Sequence, residues 1–279
     1  MDVLSGIRIG VAGWSYKDWE GKVYPRPVPA GFDPLGYLAR HFPCIEVNSS
    51  FYRPPSPQMS EAWARRTPPE FLFTVKAWEK FSHDRGPVTA ADARLFQDGI
   101  APLLSAGKLG AILLQFPWFF RDGPEARDRI LRAADALRDW APLVVELRHV
   151  SWLQAVDFLR AQGLGFCNID QPPSSTSLTG TRIVTGPVAY VRLHGRNAAA
   201  WFRKDAGRDE KYDYLYTREE LRLWEEAVRE MEAEKTFLIL NNHFQGKGMA
   251  NALMLMRALG KELEPPPETL RAAYPGLPP

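Results

Sequence analysis

The chain has 279 residues, 45% hydrophobic and 24% charged, with a formal net charge of +2. That is enough apolar material for one large core and too little charge for a disordered or strongly basic protein, so a single globular domain over 1–279 is expected. No apolar run approaches the roughly 18 residues of a membrane span, and the start, MDVLSGIRIG, lacks the basic-then-apolar layout of a secretory leader, which predicts a cytoplasmic protein with no membrane partner.

Along the chain, strands are expected at about 7–15, 44–52, 71–77, 109–117, 143–149, 164–170, 189–195 and 237–243. Between them Ser56 opens a helix carrying Met59 and Trp63, and Thr89 one carrying Leu95, Ile100, Leu103 and Leu104. Pro124 starts a third, and Ser151 caps a fourth that stops at Gly163. Thr217 with Glu220 forms a capping box ahead of Leu221, Trp224, Val228 and Met231, which share one helix face. Residues 171–187 show no helical period, so the sixth helix is expected to be missing or irregular. Residues 196–216 form a long aromatic and charged loop after the seventh strand, and the tail from about 265 is proline-rich and should wrap the surface. Strand and helix alternate eight times, the pattern of a TIM-type (β/α)8 barrel.

Polar residues recur at alternate positions where the strands end: Glu46 and Asn48, Thr74 and Lys76, Gln115, Glu146 and Arg148, Asn168 and Asp170, Arg192 and His194. Side chains alternate faces along a strand, so this parity predicts a polar ring at the C-terminal mouth of the barrel. Within it Glu46, Glu146 and Asp170 balance Lys76, Arg148 and Arg192 if His194 is neutral, and such buried charges should pair with one another. Glu146, two residues from Arg148 on the same face, is the leading acid–base candidate, with His194, Glu46 and Asp170 beside it. Lys76, Arg148 and Arg192 suit a phosphate or carboxylate. Asn48, Gln115 and Asn241, with Trp14 and Tyr212 among the loop aromatics, suit a sugar ring or a base. The loops that follow the strands carry a net positive formal charge, which also favours an anion. His83 ranks second, and His41 reads as structural.

Gly246, Lys247 and Gly248 at the last helix offer only a weak anion site, a helix start with flexible glycines being the simpler reading. No dinucleotide or phosphate-loop fingerprint follows a strand and no close histidine pair appears, so neither a cofactor nor a metal is expected. Cys44 and Cys167 lack metal spacing and read as small buried hydrophobes.

The segments GVAGWSYKDWEGKVYP, IEVNSSFYRPPS with Trp63, TPPEFLFTVKA, LGAILLQFPWFF, VVELRHVSW, YVRLHGRN, YDYLYTREEL and LNNHFQGKGMANAL resemble the YecE-like family, domain of unknown function 72. The resemblance spans nearly the whole chain and implies a TIM-type barrel, a fold also adopted by endonuclease IV and sugar isomerases, with no particular reaction. This chain has Ser82 before His83 where the family usually has threonine, and His243 where an acidic or polar residue commonly follows Asn-Asn. Three functions follow as expectations. The first is metal-independent acid–base chemistry on an anionic phosphorylated, sugar or nucleoside-like ligand. The second is a metal-dependent phosphodiesterase or endonuclease using Glu46, Glu146, Asp170, His194 and His243. The third is non-catalytic binding of nucleic acid or a metabolite.

Overall fold

The computed structural model describes residues 3–84 and 86–277, so the two final prolines of the expected tail lie outside the described residues. Eight parallel strands close into a barrel in sequence order: β1 Ile7–Ala12, β2 Cys44–Val47, β3 Leu72–Lys76, β4 Leu109–Gln115, β5 Leu143–Glu146, β6 Gly165–Asp170, β7 Val188–Leu193 and β8 Lys235–Leu240. Several stop earlier than their sequence pattern suggests. The segment 44–52, for example, leaves the sheet after Val47 and turns through a 3-10 segment at Ser49–Phe51.

Helices surround the sheet: α1 Val3–Gly6, α2 Pro34–Leu38, α3 Pro57–Arg65, α4 Ala90–Ser105, α5 Pro124–Asp135, α6 Val156–Ala161, α7 Ala198–Trp201, α8 Arg208–Lys211, α9 Arg218–Glu230, α10 Lys247–Ala258 and α11 Glu268–Ala273. The start signals act as expected at α3, α4, α5 and α9, and Pro124 is the first residue of α5. The Ser56 side chain accepts from Met59 N, and Thr89 with Asp92 and Thr217 with Glu220 close reciprocal capping boxes. Ser151 does not cap α6. It lies in a 3-10 turn, Val150–Ala155, and its hydroxyl instead accepts from Asp122 N at 2.9 Å.

Residues 171–187 contain no helix. This irregular chain needs partners for its backbone, and β6 supplies one: the Asn168 amide donates to Ile183 O at 2.8 Å and accepts from Ile183 N at 2.7 Å. The tail packs back on the barrel through the buried Leu270 of α11, and the Tyr274 hydroxyl donates to Gln245 O at 2.9 Å. Among the described residues, no helix is long and apolar enough to cross a membrane.

Strand register fixes which side chains face inward, because residues paired across parallel strands share a face. Ala12 pairs with Glu46, Glu46 with Thr74, Gln115 with Glu146, and Cys167 with Tyr190. The inward set on β6 is therefore Cys167 and Ile169, while Asn168 and Asp170 face the outer layer.

Candidate functional site

The inner ring is built around one arginine. Arg192, near the end of β7, donates Nη2 to Glu46 Oε1 at 2.6 Å and Nη1 to Glu146 Oε2, so its planar fork spans two carboxylates from different strands. The other oxygen of Glu146 accepts from Arg148 Nε at 2.8 Å and Nη2 at 2.7 Å. Glu46 Oε2 lies 2.9 Å from the Tyr190 hydroxyl, which also meets Thr74 Oγ1 at 2.7 Å. One phenol carries one proton, so Tyr190 donates to the carboxylate and accepts from threonine.

This arrangement reassigns Glu146. Burial would raise its carboxyl pKa, but Arg192, Arg148 and His194 overcome that and hold it well below the ordinary range. A carboxylate so strongly stabilised as an anion is a poor base and an unavailable acid, so Glu146 acts as a strut between guanidinium groups.

His194 is likewise not poised near neutrality. Its Nδ1 accepts from Asn241 Nδ2 at 2.9 Å, which leaves the ring proton on Nε2, facing Glu146 Oε1 at 3.5 Å. Burial drives the imidazole down to about 4 against the opposing pull of Glu146, so it stays neutral at physiological pH. His83, bonded to Ser82 Oγ at 2.9 Å, is lowered to about 4 by burial and by the nearby Lys76 and Arg148.

Asp170 leaves the ring altogether. Its carboxylate accepts from Arg196 Nε and Nη2 at 2.7 and 2.6 Å, the Tyr216 hydroxyl at 3.0 Å and the Trp224 indole at 2.8 Å, all outside the barrel interior. The physical reason lies in what packs outside β6: Arg196 and Tyr216 of the loop after β7 and Trp224 of α9 present their donors to that strand's outer face. Without Asp170 the interior is no longer balanced: Lys76, Arg148 and Arg192 outnumber Glu46 and Glu146 by one positive charge.

Above the ring is a cavity of about 120 Å3, lined by Lys76, Arg148, Arg192 and Arg208 and by no acidic side chain. Asn48, Gln115, Asn241 and Tyr212 line it as well, so seven of the eight residues expected to bind a ligand reach it together with Tyr16, Tyr52 and His243. Trp14 does not. It packs edge-on against Trp63 with ring centroids 5.4 Å apart.

The loop from Arg196 to Tyr216 lies over this cavity. Trp201 and Tyr212 approach the His194 ring with centroids 6.2 and 6.1 Å away, and Arg208 reaches the lining from α8. The loop aromatics largely use one another's faces: Tyr16 stacks on His243 at 4.6 Å, and Tyr212 meets Trp201 edge-on at 5.6 Å. Arg208 carries no sequence signal beyond its place in a charged loop. Tyr16 was signalled by the aromatic cluster after β1.

Lys76 differs from the other lining cations. Its Nζ lies 3.7 Å from the centre of the Phe51 ring, with no carboxylate in ion-pair contact among the described residues. Burial, then Arg192, lowers its ammonium to about 7 against the opposing effect of Glu146 and Glu46.

Two minor readings of the sequence, an anion site at the α10 start and a metal bound among Glu46, Glu146, Asp170, His194 and His243, fit this geometry poorly. Lys247 pairs with Asp213, and the α10 start is packed so that a side chain at Gly246 would meet Val23 and Leu270, leaving no anion cradle there. Among the described residues, no three His, Cys, Asp or Glu side chains group to hold a metal, because Glu46 and Glu146 are bound by arginine and Asp170 lies outside. A larger depression of about 950 Å3 between α4 and α5 mixes both charge signs and includes no strand-end residue of the ring.

A family model described as protein of unknown function DUF72 matches residues 8–273. UPF0759 protein YunF of Bacillus subtilis (strain 168) is 30% identical over 275 residues, 92% of this chain and 95% of YunF. UPF0759 protein YecE of Escherichia coli (strain K12) is 31% identical over 144 residues, 51% of this chain and 48% of YecE. Among solved structures, a DUF72 family protein of Enterococcus faecalis V583 superposes with a TM-score of 0.81 at 27% identity, covering 94% of this chain and 99% of that one. A DUF72 family protein of Thermotoga maritima MSB8 does so with 0.79 at 30% identity, covering 91% and 99%.

Proposed function

The chain belongs to the DUF72 family, and we propose that it binds a small anionic metabolite, one bearing a phosphate or carboxylate, in the closed mouth of its barrel and acts on it through side-chain acid–base chemistry. The observation that carries this reading is the surplus charge. Four cationic side chains line the cavity without an acidic one, and among the described residues no carboxylate pairs with Lys76. An oxyanion supplies that missing partner, with arginine forks to orient it. The volume of about 120 Å3 and the covering loop favour a small molecule over a nucleic-acid strand, which needs a continuous open groove. Stacking of the loop aromatics on one another leaves fewer faces for a sugar or base. The carboxylates required for a metal-dependent nuclease are already held by arginine, and Lys76 replaces Glu146 as the group that exchanges a proton near neutral pH.

Calorimetric titration with inorganic phosphate at low salt tests the reading. One saturable site is expected, weakened roughly tenfold or more by Arg208→Ala, since a charge-assisted hydrogen bond contributes about 1.5–3 kcal/mol. Arg208 projects from the covering loop, so its removal spares the barrel packing. Absence of saturable binding to the native protein overturns the proposal.

A further inference from the structure

The geometry points to Lys76 as a nucleophile that condenses with the carbonyl group of a small aldehyde or ketone whose phosphate or carboxylate is held by the neighbouring arginines. This inference rests on the anion-binding reading and adds the substrate class and the bond that forms.

The partners of the cations single out this residue. Arg148 is held by Glu146, Arg192 by Glu46 and Glu146, and Arg208 by Asp209. Lysines elsewhere are engaged too: Lys80 pairs with Asp92, Lys247 with Asp213, and Lys108 donates to Ala64 O and Thr67 O. Lys76, at the C-terminal end of β3, instead places Nζ against the Phe51 ring face and toward the cavity. A ring face favours the ammonium weakly, but it cannot accept the proton, and the surrounding arginines disfavour a further positive charge. An amine in that setting is chemically available at neutral pH, consistent with an ammonium that loses its proton near 7.

The step balances without an outside reagent. The neutral amine attacks the carbonyl carbon, a C–N bond forms, and the π electron pair of the carbonyl moves to oxygen, which takes up a proton. Loss of that oxygen as water leaves a C=N bond. Relative to the ammonium, the departing water carries the carbonyl oxygen and two of the three nitrogen protons, and the iminium keeps the positive charge. Two or three carbons with one anionic group suit the volume of about 120 Å3.

Borohydride reduction in the presence of glycolaldehyde phosphate, followed by peptide mapping of the native protein, tests this. Reduction fixes the imine as a secondary amine, and the expected adduct falls on Lys76. Labelling there should exceed that by unphosphorylated glycolaldehyde by roughly tenfold or more, and excess inorganic phosphate should suppress it by a similar factor. The rate should rise with pH above about 7, since the bound phosphate draws the proton back toward the amine. Lys76→Arg keeps the charge but has no nucleophilic amine, so residue 76 should take no label. Labelling of exposed Lys17 and Lys204 as fast as Lys76, with phosphate binding intact, overturns the inference and leaves the anion reading standing. Selective labelling of Lys76 by either aldehyde, with no phosphate binding, overturns the anion reading and the substrate class drawn from it.

Discussion

Glu146 shows how one buried carboxylate ties together the ends of two strands. It meets Arg148, two residues beyond the end of β5, and Arg192 on β7, and it has no solvent exposure. Replacing it by glutamine removes the counter-charge from two guanidinium groups at once. We therefore expect Glu146→Gln to lower unfolding stability by about 3–5 kcal/mol in urea titrations, the range for breaking a buried pair from one side. His194 makes a second prediction. Its pKa in the folded chain is about 4, below its ordinary value, so only the unfolded chain binds a proton between these limits. Its contribution is present above about pH 6.5 and is lost as pH falls toward 4, an effect on the order of 3 kcal/mol. Comparing the native protein with His194→Gln at pH 7.5 and 4.5 should show a smaller pH-dependent loss in the variant; equal losses would contradict the assignment.

At the scale of elements, the loop over the cavity is fastened at both ends. Gly195 leaves β7 at φ +94°, donates its N–H to the Tyr216 hydroxyl at 2.8 Å, and a Cβ there would approach Tyr214 Cβ to 2.7 Å. At the far end Tyr214 bonds Glu220 at 2.7 Å, and Asn242 donates to Tyr214 O at 2.8 Å. The intervening stretch carries exposed Arg203, Lys204 and Asp205. Gly195→Ala combines an unfavourable backbone angle with a contact that backbone-linked atoms cannot easily relieve, so it should cost about 1–3 kcal/mol. Hydrogen exchange should show faster exchange at 197–211 in that variant than in the native protein, with weaker phosphate binding. Unchanged exchange would mean that the anchors alone hold the loop.

At the scale of the molecule, the surplus interior charge links ligand, proton and stability. Below about pH 7 the Lys76 ammonium is retained at a cost to the fold, and this cost fades as pH rises from 7 toward 10, where the unfolded chain also loses the proton. An anion reverses the preference and draws the proton back. Sulfate does not titrate in this range, so its binding at pH 8 should take up close to one proton, seen as a calorimetric heat that varies with buffer ionisation enthalpy. Lys76→Arg should remove that dependence. A sulfate concentration near 100 times the dissociation constant should add about 2.7 kcal/mol of unfolding stability.

The eight strands, the capped helices, the missing sixth helix and the convergence of Lys76, Arg148 and Arg192 were all written in local patterns. Alternation, capping residues and turn glycines act over a few positions, so they survive in the sequence without knowledge of the partner strand. The orientation of β6 was not. Polar and apolar residues alternate there too, and only what packs outside, Ile183 of the irregular chain on Asn168 and Trp224 of α9 on Asp170, explains why both turn outward. The roles within the ring were equally hidden, because charge on a side chain is decided by what stands across the barrel. Arg192 meets Glu46 across 146 positions and Glu146 across 46, while Lys76 meets no carboxylate among the described residues. The sequence by itself determined that Glu46, Lys76, Glu146, Arg148 and Arg192 enter the mouth. The closure of the barrel decided which are neutralised and which one is left to receive a ligand, because electrostatic pairing depends on distance in space and not along the chain.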